Sequence, residues 1–147
     1  MKLQGAVFDF ESSLLDAEGR PLPGLEEFLS LMKMEDVWMF LVTDGDRRTA
    51  QQALDGAGLA NYFRGIVAAP EYGLSSGAPA LYEKALRRLR TAPRATVAFT
   101  AREEVLRGLH GIGFQTVLVG QGQDSPLAPL AVESVRDYRD MTQSQTF

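Results

Sequence analysis

Residues 37–42 form an almost uninterrupted apolar run, Val-Trp-Met-Phe-Leu-Val. A strand that is apolar on both faces must be covered on both sides, which is typical of a central strand in a parallel sheet. The run is followed by Thr43 and then by Asp46, a good N-cap for an amphipathic helix that Gly58 would terminate. This strand and helix are therefore predicted to form one unit of an α/β fold.

The same alternation of strand and helix patterns occurs five times between Leu3 and Gly120. Amphipathic helices separate the further predicted strands, which lie at residues 3–8, 65–69, 95–99 and 114–119. Short connections favour a mostly parallel, five-stranded sheet with helices on both faces. We therefore expect a core domain over residues 1–120. The tail over 121–147 loses the periodicity, and we expect one packed helix around 130–138 and frayed final residues.

Composition restricts the classes of function. The chain has 147 residues, 45% hydrophobic and 23% charged, which suits one folded domain without cross-links. Cysteine is absent, so disulfides and thiolate chemistry are excluded. The net charge of -4 argues against nucleic acid as a partner, because phosphate backbones are bound by a concentrated basic face. No apolar segment is long enough for a membrane, and no signal-peptide pattern follows Met1, so we expect a cytoplasmic protein without a membrane partner.

Two carboxylates, Asp9 and Glu11, follow the first predicted strand directly. In an open α/β sheet, ligands collect beyond the carboxyl ends of the strands, which is where Asp9 would lie. Asp9 is therefore a candidate nucleophile or metal ligand. On this residue alone, a carboxylate that only caps a turn is an equally good interpretation.

Five segments, taken in order, resemble the haloacid dehalogenase (HAD) superfamily of phosphatases and phosphomutases, in particular its β-phosphoglucomutase-like branch. The segments are VFDFESSLLD, PLPGLEEFLSLM, FLVTDGD, SGAPALYEKALRRL and REEVLRGLHGIGFQTVLVG. The resemblance implies a three-layer, Rossmann-like α/β domain and Mg²⁺-dependent hydrolase chemistry through an aspartyl-phosphate. Only a short flap, residues 12–22, separates the first motif from the next helix, so we expect no cap domain.

The resemblance also assigns roles to single residues. Asp9 matches the family's nucleophile, and Glu11 stands where the family has its acid/base Asp. The candidate metal ligands are the carboxylate of Asp9 and the backbone carbonyl of Glu11. Thr43 matches the second motif, in which a hydroxyl and the following backbone N–H groups, here of Asp44 and Gly45, hold a phosphate oxygen.

Two motifs of the family are missing. Ser76 occupies the place of the family's Lys and remains as a candidate phosphate-binding residue, while Thr100 and Ala101 occupy the place of its acidic metal ligands. Mg²⁺ requires several hard oxygen ligands, so we expect it to bind weakly, and we expect no other cofactor. Substitution of the missing ligands by Glu103 or Glu104 is the less favoured alternative, because acidic residues in a first helical turn are explained by the helix dipole.

Two functions therefore stay open. One is a capless HAD-type phosphohydrolase, weak or with unusual metal ligation. The other is a non-catalytic HAD-fold module, which the missing Lys and acidic ligands favour. Candidate partners are phosphate or a phosphorylated ligand, a protein, or a second copy of the chain. His110 is not expected to be catalytic, since no Ser or Cys nucleophile is placed to use it.

Overall fold

A six-stranded parallel sheet lies between two layers of helices in the computed structural model, which describes residues 3–142. The strands are β1 Gly5–Asp9, β2 Trp38–Thr43, β3 Gly65–Ala68, β4 Thr96–Thr100, β5 Gln115–Val119 and β6 Glu133–Val135. The helices are α1 Phe10–Ser13, α2 Leu25–Met34, α3 Arg47–Ala57, α4 Pro79–Leu89, α5 Glu103–Gly111 and α6 Arg139–Thr142. The predicted three-layer α/β architecture is confirmed.

The order of the strands brings the polar strand ends together. Across the sheet the order is β3-β2-β1-β4-β5-β6, so β1 lies between β2 and β4. Asp9 pairs with Val42, and Phe8 pairs with Phe99. Because all three strands run in the same direction, Asp9, Thr43 and Thr100 reach the same edge of the sheet. The chain changes direction across the sheet between β1 and β4, and this switch point is where ligand sites form in open α/β sheets.

The apolar run that predicted a central strand is buried on both faces. Met39 and Leu41 belong to a core cluster shared with α2 and α3, whereas Phe40 and Val42 belong to a second cluster shared with α4 and α5. The two clusters also cover both faces of β1, because the first contains Ala6 and Phe8 and the second contains Val7.

The predicted boundaries of α3 are confirmed by its caps. The Asp46 carboxylate accepts a hydrogen bond of 2.7 Å from the backbone N–H of Thr49. At the other end, Gly58 has the left-handed backbone (φ +73°) that a residue without Cβ adopts without strain. The first turn of α3 is thereby fixed close to Thr43.

The flap after β1 is a small hairpin and takes the place of a cap domain. Its first two residues belong to the one-turn helix α1, and the rest is closed by an antiparallel bridge between Leu15 and Pro21. The Asp16 carboxylate accepts backbone hydrogen bonds from Glu18 and Arg20, which stabilises the predicted turn. Helix α2 begins soon afterwards, at Leu25.

The sheet has a sixth strand where the sequence predicts a helix. Strand β6 lies within the predicted 130–138 helix and pairs with β5 through Val117–Glu133 and Val119–Val135. A three-residue edge strand is too short to give a readable alternation, so its pairing depends on a tertiary partner rather than on local pattern. Residues after Gly120 thus contribute to both the sheet and the core. The final residues, predicted to be frayed, lie outside the described range.

Tyr138 ties this last segment to the centre of the molecule. Its ring is fully buried and lies among Phe8, Phe28 and Phe99. Its hydroxyl donates a hydrogen bond of 2.8 Å to the backbone carbonyl of Ser13, on α1. The segment after β6 therefore supports helix α1, which carries Glu11 and follows Asp9 directly. None of the helices between residues 3 and 142 has the length and apolar character needed to cross a bilayer.

Candidate functional site

Asp9 is fully buried at the end of β1, and both of its carboxylate oxygens accept hydrogen bonds. Oδ1 accepts from Arg102 Nη2 at 2.7 Å. Oδ2 accepts from Arg102 Nε at 2.8 Å, from the Thr100 hydroxyl at 2.8 Å and from the Ser12 hydroxyl at 2.7 Å. A two-point contact of this kind matches the planar fork of a guanidinium to a carboxylate. Arg102 is therefore the direct counter-ion of Asp9.

Arg102 also bridges Asp9 to a second carboxylate. Its Nη1 donates to Asp44 Oδ2 at 2.5 Å, and the side chain is only 19% exposed. Its backbone N–H donates to the Thr100 hydroxyl, which holds the residue in the N-cap position of α5. Burial lowers the pKa of Arg102, but the hydrogen bonds to Asp9 and Asp44 outweigh it and raise that pKa above its ordinary value. The guanidinium therefore stays charged.

Glu11 occupies the neighbouring part of the site. Its Oε2 accepts a hydrogen bond of 2.6 Å from the Thr43 hydroxyl, and its Oε1 accepts one of 3.0 Å from the backbone N–H of Asp44. The Gly45 N–H donates in turn to Thr43 Oγ1 at 3.1 Å, which directs the hydroxyl proton towards Glu11. The Glu11 carboxylate thus occupies the two hydrogen-bond donors at the end of β2, the Thr43 hydroxyl and the Asp44 N–H.

Ser76 reaches the site through Asp44. Its hydroxyl donates to Asp44 Oδ2 at 2.5 Å, and the backbone N–H of Gly77 donates to Asp44 Oδ1 at 2.9 Å. The structure thus brings together the six residues that the sequence predicted as catalytic, metal-binding or phosphate-binding. These are Asp9, Glu11, Thr43, Asp44, Gly45 and Ser76.

Sequence reasoning did not identify Arg102 as part of the site. A signal was present, because Arg102 directly follows Ala101, the position at which an acidic ligand is missing. An arginine beside a position where the resemblance expects an acidic ligand is a candidate counter-ion for the remaining carboxylate. Its role depends on the guanidinium turning back over β1, and a single sequence does not encode that orientation in a readable pattern.

Asp44 gives the site a predictable dependence on pH. Desolvation raises the pKa of Asp44, but hydrogen bonds from Arg102, Ser76 and the Gly77 N–H outweigh it and hold that pKa below its usual value. A carboxyl with a lowered folded-state pKa stabilises the fold above its unfolded pKa of about 3.9 and loses this contribution as the pH falls through the folded value.

We therefore expect Asp44→Asn to lower the urea midpoint of unfolding at neutral pH, with the gap to the parent narrowing below about pH 4. Chemical unfolding of both proteins from about pH 6 to pH 2.5 measures the gap. A gap that stays constant across this range would contradict an ionised Asp44 in the folded site.

A family model for haloacid dehalogenase-like hydrolases matches residues 4–113. The chain belongs to the haloacid dehalogenase-like hydrolase family. No curated protein matches the chain. The match ends before β5 and β6, so the family model covers β1 to α5 and all the candidate site residues.

Solved structures share the fold of this HAD-like chain. A protein taken to be a β-phosphoglucomutase from Thermotoga maritima has a TM-score of 0.82 at 16% identity, over 95% of this chain and 97% of that chain. CbbY from Rhodobacter sphaeroides, solved in complex with phosphate, has a TM-score of 0.78 at 15% identity, over 95% of this chain and 96% of that one. A HAD-like family protein from Streptococcus pneumoniae has a TM-score of 0.74 at 12% identity, over 95% and 97% respectively. At these identities the likeness concerns the fold.

The two glutamates considered as replacement metal ligands have other environments. Glu103 forms an ion pair of 2.8 Å with Arg107 on the surface of α5. Glu104 is 69% exposed, and its Oε1 lies 4.0 Å from Arg102 Nη1. His110 is exposed in the last turn of α5. Neither glutamate lies in contact with Asp9 in the described hydrogen bonds.

The site of this HAD-like chain does not fit a magnesium ion. Mg²⁺ takes hard oxygen ligands in a tight octahedron, and it needs carboxylate oxygens that are free to bind it. Asp9 supplies the one side-chain carboxylate of the predicted ligand pair, and both of its oxygens accept from Arg102. The Glu11 carboxylate cannot add to the backbone carbonyl of Glu11 as a ligand, because both of its oxygens accept from the end of β2. Over residues 3–142, no group of three or more His, Asp or Glu side chains is placed to hold a metal ion.

Proposed function

We propose that this HAD-like chain is a catalytically silent member of its family that acts as a binding module rather than as a phosphohydrolase. The contact between the Arg102 guanidinium and Asp9 carries the proposal. A carboxylate can attack phosphorus only through a free, accessible oxygen. Both oxygens of Asp9 are hydrogen-bonded and the residue is fully buried, which supports a structural role for it.

The charges within the site support the same proposal. Arg102 neutralises Asp9 in the way that a metal ion would neutralise a nucleophilic carboxylate. A metal ion would in addition coordinate a phosphate oxygen and a water molecule. The Arg102 guanidinium has no coordination positions for them. We therefore infer that Mg²⁺ binds weakly or not at all, because an incoming ion would have to displace an existing cation.

A weak hydrolase is the second candidate, and two observations favour it. Asp9, Glu11 and Thr43 are retained and converge on one site, and Glu104 lies on the solvent side of Arg102 within 4.0 Å. An Arg102 side chain that moved onto Glu104 would free Asp9. This candidate requires the buried ion pair with Asp9 to break in each turnover, which makes it the less favoured of the two.

Turnover of phosphate esters distinguishes the two functions. We expect the parent protein and Asp9→Asn to hydrolyse a panel of aryl and alkyl phosphate esters at the same background rate, with and without Mg²⁺. Calorimetry on the same samples should show no micromolar Mg²⁺ affinity. A Mg²⁺-dependent rate in the parent that Asp9→Asn removes would refute the silent-domain proposal and establish the hydrolase.

A further inference from the structure

The Glu11 carboxylate is held by donors of the chain itself. A general acid or base must turn an oxygen towards the substrate atom with which it exchanges a proton. In this site both oxygens of Glu11 accept hydrogen bonds, from the Thr43 hydroxyl at 2.6 Å and from the Asp44 backbone N–H at 3.0 Å. The Glu11 carboxylate is therefore bound in the way that a free oxyanion would be bound, with one donor on each oxygen.

The donors that hold Glu11 form a small anion site. A hydroxyl and a backbone N–H at a strand end, close to the first turn of α3, are groups that bind an oxyanion. The Gly45 N–H fixes the orientation of the Thr43 hydroxyl, so the donors are positioned in advance. Both donors face a carboxylate supplied by the chain itself.

We propose that the Glu11 carboxylate is the resident ligand of this anion site, and that an oxyanion of the phosphate class enters when Glu11 leaves. The inference deepens the proposed function, because it concerns regulation of the same site. Arg102 fills the cation position on Asp9, and Glu11 fills the anion position on Thr43 and Asp44. Side chains of the protein itself therefore occupy both the cation position and the anion position of the site.

Exchange of Glu11 with solvent is structurally accessible. Glu11 is exposed on the one-turn helix α1, in contrast to the fully buried Asp9. The side chain can rotate into water without opening the core. An oxyanion cannot bind beside it, because two anions would share the same two donors. Entry of phosphate and departure of Glu11 are thus coupled.

Titration of the parent, Glu11→Ala and Glu104→Ala with inorganic phosphate tests the proposal. The amide signals of Asp44 and Gly45 are followed by NMR without Mg²⁺ and at constant ionic strength. We expect saturable shifts in Glu11→Ala with a dissociation constant in the millimolar range, at least about tenfold tighter than in the parent. Glu104→Ala also removes one negative charge close to the site, beside Arg102, but Glu11 still occupies the donors of Thr43 and Asp44. It should therefore titrate like the parent.

Two results would overturn the proposal. One is an equal gain in Glu104→Ala, which would assign the effect to net charge. The other is no gain in a Glu11→Ala protein whose amide spectrum remains dispersed. Glu11→Gln keeps the size of the side chain and removes its charge, and it should gain less than Glu11→Ala; it also serves as the test if the alanine variant does not fold. Because the titration contains neither ester nor metal, turnover by the parent would overturn the proposed function alone.

Discussion

Replacing Arg102 by alanine is expected to lower the free energy of unfolding by about 3 kcal/mol, because it leaves a buried carboxylate without its counter-ion. Asp9 is fully buried, and Arg102 supplies two of the hydrogen bonds to its oxygens. The hydroxyls of Ser12 and Thr100 stay in place and moderate the loss. Urea unfolding of the parent and the variant at neutral pH measures the difference.

Arg107→Ala is the matched control for this experiment. Arg107 pairs with Glu103 on the exposed face of the same helix, where an ion pair contributes less than about 1 kcal/mol. The double variant Asp9→Asn/Arg102→Met should recover part of the lost stability, since it removes both charges together. If Arg102→Ala destabilises the protein no more than Arg107→Ala does, the buried ion pair is not the centre of this site.

Replacing Tyr138 by alanine is expected to lower the free energy of unfolding by about 3–5 kcal/mol, the range for loss of a large buried aromatic side chain. The ring is fully buried among three phenylalanines, and its hydroxyl binds the carbonyl of Ser13. Tyr138→Phe keeps the ring and should lose only about 1 kcal/mol, for one buried hydrogen bond. Thermal and urea unfolding of both variants give the two values.

An exposed tyrosine provides the comparison for Tyr138. Tyr72 is 38% exposed, and its removal in Tyr72→Ala should change the free energy of unfolding by less than about 1 kcal/mol. A Tyr138→Ala protein as stable as Tyr72→Ala would contradict the packing of the last segment against β1. If Tyr138→Ala does not fold at all, Tyr138→Phe still tests the contact with Ser13.

The central part of the fold could be predicted because its signals are local. The apolar run at residues 37–42 required burial on two faces, and Asp46 and Gly58 marked both ends of the next helix. Parallel strands then placed Asp9 and Thr43 at one edge of the sheet without any knowledge of side-chain contacts.

The parts that sequence reasoning missed depend on tertiary contacts. Strand β6 has three residues, and it is defined by its pairing with β5 rather than by its own pattern. Arg102 follows a strand and opens a helix, a position at which an arginine ordinarily extends into solvent. Its contact with Asp9 balances the charge of a buried carboxylate, and the fold rather than the local sequence decides which cation supplies that balance.

The self-occupied site sets the concentration at which a free ligand can compete. Arg102 and Glu11 belong to the same folded chain as the groups they contact, and the fold holds them beside those groups. Each is therefore present at the site at an effective concentration of millimolar or above. A dissolved cation reaches the Asp9 carboxylate, and a dissolved oxyanion reaches the donors of Thr43 and Asp44, only at comparable concentrations or when a partner draws the side chain away. Dilute ions would then leave this HAD-like chain unchanged, whereas a macromolecule that binds the Glu11 side chain could open the site without being a substrate.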